Sequence, residues 1–209
     1  MIIKICGIQD EKTLFCCEKN RVNFFGLVFF SKSPRNISIE RAQKLLKISE
    51  DLNINGVGVF VNNNIDEIKK IIQITNLKFV QLHGKEDDLF IKNLKKNNVK
   101  IIKSIPISNL NDLNKIEYYK NADYFLFDYK PTKGELPGGN AKTFDWNLVK
   151  NIKINKPWFL SGGINAENIK QIIKDINPLG IDLSSGVEKE LGIKDNHIIN
   201  NFIDKLKNA

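Results

Sequence analysis

Short, nearly unbroken apolar runs rich in β-branched residues alternate with stretches of helical period along the whole 209-residue chain. The runs are Ile2–Cys6, Phe24–Phe30, Gly56–Val61, Phe79–His83, Val99–Ser104, Tyr124–Asp128, Trp158–Ser161 and Ile181–Ser184. Continuous rather than alternating hydrophobicity is what strands show when helices cover both faces of a parallel sheet. Between the runs lie amphipathic stripes: Ile65, Ile68, Ile71 and Ile72; Ile169, Ile172, Ile173 and Ile176; Ile199, Phe202, Ile203 and Leu206. Asn64 with Glu67 three residues on, and Asn165 ahead of Ala166-Glu167, read as helix starts. Eight strands, each followed by a helix, predict an α/β fold, a single (β/α)8 TIM barrel occupying residues 1–209 with short loops. An open doubly wound sheet is the competing architecture. No Pro/Ser/Gly-rich linker divides the chain. The one long connection is Tyr129–Lys142, which holds Pro131, Gly134, Pro137, Gly138 and Gly139 and is a functional candidate for its length.

Composition narrows the function classes. At 42% hydrophobic residues the chain is too apolar to be disordered, and no run approaches the ~18 residues of a membrane span. The first residues lack the basic region and apolar length of an export signal, and three Cys do not make a disulfide framework, so the expected location is cytoplasmic. A net charge of +8 raises the question of nucleic acid, but the cations are 29 Lys and 3 Arg, scattered through an Ile- and Asn-rich chain. Arg clusters and interleaved aromatic platforms are missing, which argues against a nucleic-acid partner.

In such a barrel the chemistry gathers at the C-terminal ends of the strands. Those ends read Cys6-Gly7, Ser31 to Arg35, Gln81 and His83, Asp128, Ser161-Gly162-Gly163 and Ser184-Ser185-Gly186. Glycines after the seventh and eighth strands let backbone N–H groups approach an anion, so Gly162, Gly163, Ser185 and Gly186 are candidate phosphate ligands rather than mere turn residues. Cys6 and Asp128 are the available base and acid. The bland alternatives are a small buried hydrophobe for Cys6 and a turn residue for Asp128. Arg35, stiffened by Pro34, is either a carboxylate anchor or a solvated loop cation. His83 either orients an aromatic ligand or satisfies a backbone carbonyl. Cys16 and Cys17 fall in the first helix and read as packing, and no cluster has metal-ligand spacing.

Together these stretches resemble a known family in order and spacing. Lys4-Ile5-Cys6-Gly7-Ile8, Gly26-Leu27-Val28-Phe29 with Ser33-Pro34-Arg35, Val57-Gly58-Val59-Phe60 and Gln81-Leu82-His83-Gly84 are similar to stretches of phosphoribosylanthranilate isomerases. So are Phe127-Asp128, Pro137-Gly138-Gly139 with Phe144-Asp145-Trp146, Leu160-Ser161-Gly162-Gly163, Asp182 to Glu188 and Gly192-Ile193-Lys194-Asp195. The resemblance runs through essentially the whole chain. It implies an Amadori rearrangement of N-(5-phosphoribosyl)anthranilate in tryptophan biosynthesis, without metal, nucleotide or redox cofactor. It further implies Cys6 as general base, Asp128 as general acid, Arg35 on the anthranilate carboxylate, and a phosphate held near Gly162, Gly163, Ser185 and Gly186. The expected partner is this small substrate, with no nucleic acid or membrane, and the expected state is a monomer rather than a homodimer. One departure stands out: the stretch Gly138-Gly139-Asn140-Ala141 ends in Ala where relatives commonly have Gly. At a positive φ, Ala141 would cost about 1 kcal/mol. The rival enzyme, an indole-glycerol-phosphate synthase, would be expected to show Lys and Glu at the strand ends. A non-catalytic phosphate-ligand sensor would need neither Cys6 nor Asp128.

Overall fold

Eight parallel strands close on one another in sequence order to form a barrel in the computed structural model, which describes residues 1–136, 138–150 and 152–209. They are β1 (Ile2–Cys6), β2 (Phe24–Phe29), β3 (Asn55–Phe60), β4 (Phe79–Leu82), β5 (Lys100–Ile107), β6 (Tyr124–Tyr129), β7 (Trp158–Leu160) and β8 (Gly180–Leu183). Closure is by β1 on β8, with Ile3 opposite Ile181 and Ile5 opposite Leu183. Pro137, assigned from sequence to the Gly-rich loop, lies outside the described residues.

Side chains of successive strand residues point to opposite faces, and the two faces here do different work. One set (Ile3, Ile5, Phe25, Leu27, Val80, Ile101, Phe125, Phe127, Ile181, Leu183) belongs to the main core, shared with the helices. The other set fills the barrel. At the N-terminal end Phe24, Val57, Ile102, Leu126 and Phe159 form an apolar plug. At the other end Cys6, Val28 and Val59 cluster at the mouth, among the polar residues that line a cleft. The barrel is therefore a solid core with one chemically active end.

The helices are α1 (Glu11–Lys19), α2 (Ile39–Ser49), α3 (Ile65–Thr75), α4 (Asp88–Leu94), α5 (Ile169–Asp175) and α6 (Asn196–Lys207). All but α5 have N-termini fixed by side-chain caps, at Asp10, Ser38, Asn64 (with the Glu67 capping box), Asp87 and Asp195. Among the described residues, the strict strand–helix alternation fails twice. After β5 the connection is a 3-10 run over Leu110–Tyr118, and after β6 it is a short 3-10 turn at Trp146–Val149. Leu110–Tyr118 is rich in Asn and Asp, whose side chains bond local backbone and compete with α-helix; the Asp112 carboxylate accepts from the Ser108 N–H and hydroxyl. After β6, the long loop consumes the residues a helix would need. The helix expected from Asn165 starts at Ile169 instead, because Asn165 Oδ1 accepts from Glu167 N and Asn168 N and holds a turn first. Beyond β8 the chain forms a small antiparallel hairpin, β9 (Glu188–Glu190) and β10 (Ile193–Lys194), before α6. No described helix is long and apolar enough to cross a membrane.

Candidate active site

At the barrel mouth, Cys6, Arg35, His83, Asp128, Gly138, Gly139, Ser161, Asp182 and Ser184 line one cleft of about 550 Å³. A second hollow of about 360 Å³ adjoins it, shares Asp128, Gly138, Gly139, Ser161, Asp182 and Ser184, and extends to Gly162, Gly163 and Ser185. The joined cavity is long enough in lining to offer distinct places for two ends of a ligand.

Cys6 closes β1 and is made possible by Gly26 beside it: a Cβ on Gly26 would lie 2.7 Å from the Cys6 Sγ. Beneath Cys6 the fully buried Lys4 Nζ donates to Asp182 Oδ1 at 2.9 Å, joining the first and last barrel strands. Burial works against the Lys4 ammonium, but the facing Asp182 carboxylate and Cys6 outweigh it and raise its pKa. Burial pushes the Cys6 thiol up, and Asp182 adds to this, while Lys4, Lys194 and Arg35 pull the other way. The thiol thus sits in a low-dielectric pocket faced by three cations, so that loss of other negative charge there would favour thiolate.

Arg35 is only 4% exposed, which excludes the solvated-cation reading. Its Nε and one terminal nitrogen donate to the two oxygens of Glu188, at 2.7 and 2.8 Å, and the latter nitrogen also reaches the Gly139 carbonyl at 3.3 Å. The aliphatic stem lies against Gly7, where any Cβ would meet it at 2.8 Å. Glu188 also accepts from Lys194 and from the Gly192 N–H. Burial would raise the Glu188 carboxyl, yet Arg35 and Lys194 overcome it and hold the group at about 2. The guanidinium is aimed into the cleft by a partner that sequence reasoning left without a role.

On the opposite side, Asp128 is 7% exposed near the end of β6. Its Oδ1 accepts from the Tyr129 N–H at 2.8 Å, while Oδ2 lies 3.2 Å from His83 Nε2. His83 therefore faces the candidate acid rather than a backbone carbonyl.

Gly162 and Gly163 line the smaller hollow at φ +87 and +68, conformations that only Gly adopts easily. Their N–H groups have no acceptor among the described residues. Ser185 joins them, but Gly186 does not line the hollow: a Cβ there would fall 1.9 Å from the Ile164 carbonyl, so Gly186 serves close backbone packing. Ala141, in the same lining, does adopt φ +55.

The residues without an assigned role in the sequence reading are Lys4, Asp182, Glu188, Lys194 and Gln81. A signal existed for two of them, since Lys4 and Asp182 are lone charges inside apolar strands and must pair if buried. Glu188 and Lys194 sit in a hairpin whose sequence carries no such mark.

A family model described as N-(5'phosphoribosyl)anthranilate (PRA) isomerase matches residues 3–205. The N-(5'-phosphoribosyl)anthranilate isomerase of Thermoanaerobacter pseudethanolicus is 38% identical over 205 residues, 98% of this chain and 97% of that protein. The phosphoribosyl anthranilate isomerase structure from Thermotoga maritima is 32% identical, covers all of both chains and superposes with a TM-score of 0.89. A second isomerase structure, in complex with reduced 1-(o-carboxyphenylamino)-1-deoxyribulose 5-phosphate, is 30% identical over the whole of both chains with a TM-score of 0.83. By sequence over nearly its full length and by fold over all of it, the chain belongs to the N-(5'-phosphoribosyl)anthranilate isomerase family.

Proposed function

We propose that this chain converts N-(5'-phosphoribosyl)anthranilate to 1-(2-carboxyphenylamino)-1-deoxyribulose 5-phosphate, the isomerisation step of tryptophan biosynthesis. The observation that carries the reading is a single cavity with a carboxyl, a thiol, a buried guanidinium and a glycine-lined recess around its walls. The substrate carries a phosphate, a carboxylate and a sugar between them. In this reading the phosphate sits against the N–H groups of Gly162 and Gly163 beside Ser185, and the anthranilate carboxylate meets Arg35.

Asp128 in its acid form protonates the furanose ring oxygen, and the anthranilate nitrogen drives ring opening to the protonated Schiff base. Cys6 as thiolate then removes the C2 proton, and the electron pair moves into the C1–C2 bond to give the enolamine. Tautomerisation yields the ketone, and the proton gained by Cys6 balances the one given by Asp128. Each proton transfer occurs on a different wall of the cleft, which is why one group does not do both.

Every residue in this scheme comes from one barrel, which supports action as a monomer. The test is to supply phosphoribosylanthranilate and follow the loss of its fluorescence. Asp128→Asn and Cys6→Ser should each lower kcat by about 100-fold or more with thermal stability nearly unchanged. Turnover like that of the unsubstituted protein in either variant overturns that residue's role.

A further inference from the structure

We infer that Lys142 is the side-chain cation of the glycine-lined recess, and that its ammonium exchanges the Glu135 carboxylate for the substrate's phosphate when ligand enters. The inference rests on the reading that places the phosphate against Gly162 and Gly163, and it adds a binding residue to that site.

A phosphate group brings close to two negative charges and three strong acceptor oxygens. The hollow that would take it is poorly balanced for such a load. Two carboxylates, Asp128 and Asp182, stand in its lining, and Lys142 is the only cation among the described residues there. Lys4 is already paired with Asp182 below. Arg35 belongs to the larger cleft and is engaged by Glu188. The N–H groups of Gly162 and Gly163 supply partial charge but no net charge. Lys142 is left as the group that can supply it.

Its position suits the task. The Lys142 carbonyl oxygen would lie 3.4 Å from a Cβ on Gly162 and 3.3 Å from one on Gly163, so its backbone is laid against both glycines. Its Nζ stands 5.8 Å from the centroid of the Tyr129 ring, which lines the same hollow. From a backbone so placed, the flexible four-carbon stem is long enough to bring Nζ over the glycine N–H groups.

Without ligand, Lys142 Nζ donates to Glu135 Oε1. That bond raises the Lys142 pKa, and together with the Thr132 N–H it holds the Glu135 carboxyl at about 2. The Lys142 side chain is nonetheless 53% exposed, and ion pairs this open to water are weak. Glu135 Oε2 accepts from the Thr132 N–H at 2.7 Å, so the carboxylate keeps a partner when the lysine departs. A phosphate offers the ammonium a larger charge in a more enclosed place, and a charge-assisted hydrogen bond with it. The exchange therefore runs toward the ligand.

Inorganic phosphate is the probe, its apparent Kd taken from the rise in Tm with its concentration, and KM for phosphoribosylanthranilate is measured beside it. Lys142→Met should weaken phosphate binding and raise KM, each by about tenfold, with kcat changed less than about twofold. Glu135→Gln removes the competing carboxylate and should tighten both by about twofold or more. In the double variant Glu135→Gln should add nothing to Lys142→Met, because Glu135 acts only through the lysine. Lys133→Met, exposed on the same loop and outside the lining, controls for charge acting at a distance and should leave both quantities nearly unchanged.

Phosphate binding unaltered in Lys142→Met overturns the assignment. So does weaker binding in Glu135→Gln, the result of losing a merely structural pair, or a Lys133→Met effect as large as that of Lys142→Met. The two readings fail separately. Turnover of phosphoribosylanthranilate with one phosphate Kd across all variants removes only Lys142. Absence of turnover, with phosphate Kd values shifted as expected, removes the isomerase reading and leaves the recess with its lysine.

Discussion

Gly26→Ala is the sharpest perturbation of the proposed base that leaves the base itself in place. Gly26 sits on β2 directly opposite Cys6 in the parallel register. The new Cβ would lie 2.7 Å from Cys6 Sγ, 2.9 Å from its Cα and 3.2 Å from its Cβ. Ordinary contact needs about 3.5–4.0 Å. The Cα is tied into the sheet, so the thiol must swing away by roughly 1 Å, and a displacement of that size at a reacting group costs about 100-fold in rate. Overpacking should also cost about 1–3 kcal/mol of stability. Gly58→Ala on β3 is the matched control, since its Cβ would press on Leu77 and Phe60 at 2.7 and 2.9 Å in the helix-facing core. Both variants should unfold earlier on heating, but only Gly26→Ala should lose kcat in the fluorescence assay. Equal loss of kcat in the two, or an unchanged kcat in Gly26→Ala, refutes the placement of Cys6 as a group whose position governs the rate.

Other expectations follow from the same cavity. Arg35→Lys keeps a cation for Glu188 but loses the two-pronged geometry, so KM for phosphoribosylanthranilate should rise about tenfold with kcat less affected; an unchanged KM removes Arg35 from carboxylate binding. Ala141→Gly relieves a positive φ of 55° and should raise the melting temperature by about 1–4 °C, the left-handed penalty for Ala exceeding the extra chain entropy of Gly; a lower melting temperature by calorimetry contradicts this. Glu188 is held at about 2 against an ordinary 4.5, so its contribution to stability is complete above that ordinary value and drains away as pH falls toward 2. In urea titrations between pH 5 and pH 3, Glu188→Gln should therefore show a weaker loss of stability with acid than the unsubstituted protein.

The strands were the most legible part of the sequence because a parallel barrel strand is buried on both faces and reads as a solid apolar run. β1 coincides with its expected span, and the others differ by a residue or a few at their ends. The connections were less legible. Nothing in hydrophobic period distinguishes the 3-10 run Leu110–Tyr118 from a short helix, since its outcome rests on side chains such as Asp112 bonding back to the local backbone. Cys6, Asp128 and Arg35 were found because strand ends are a defined place in this architecture. Glu188 was not assigned, because its partner Arg35 lies 153 residues earlier and no local pattern carries a contact of that range. His83 was found, but its approach to Asp128 was not among the two readings left open for it, since which wall an imidazole meets depends on the barrel's stagger rather than on β4 itself.

The bond between Lys4 and Asp182 spans 178 residues. Contacts of such range are among the last that a folding chain can afford entropically. Cys6 lies directly above that seam, with Ser184 of the final strand's end donating to its carbonyl. A chain still emerging from the ribosome, or one refolded as far as seven strands, holds Asp128, Arg35 and half the glycine recess, yet has no walled pocket for the Cys6 thiol. Recovery of isomerase activity after dilution from denaturant thus times the joining of the first and last strands, and should lag behind the return of helical signal. The first and last barrel strands meet under the proposed base, so turnover of substrate is expected to begin only when β8 has docked.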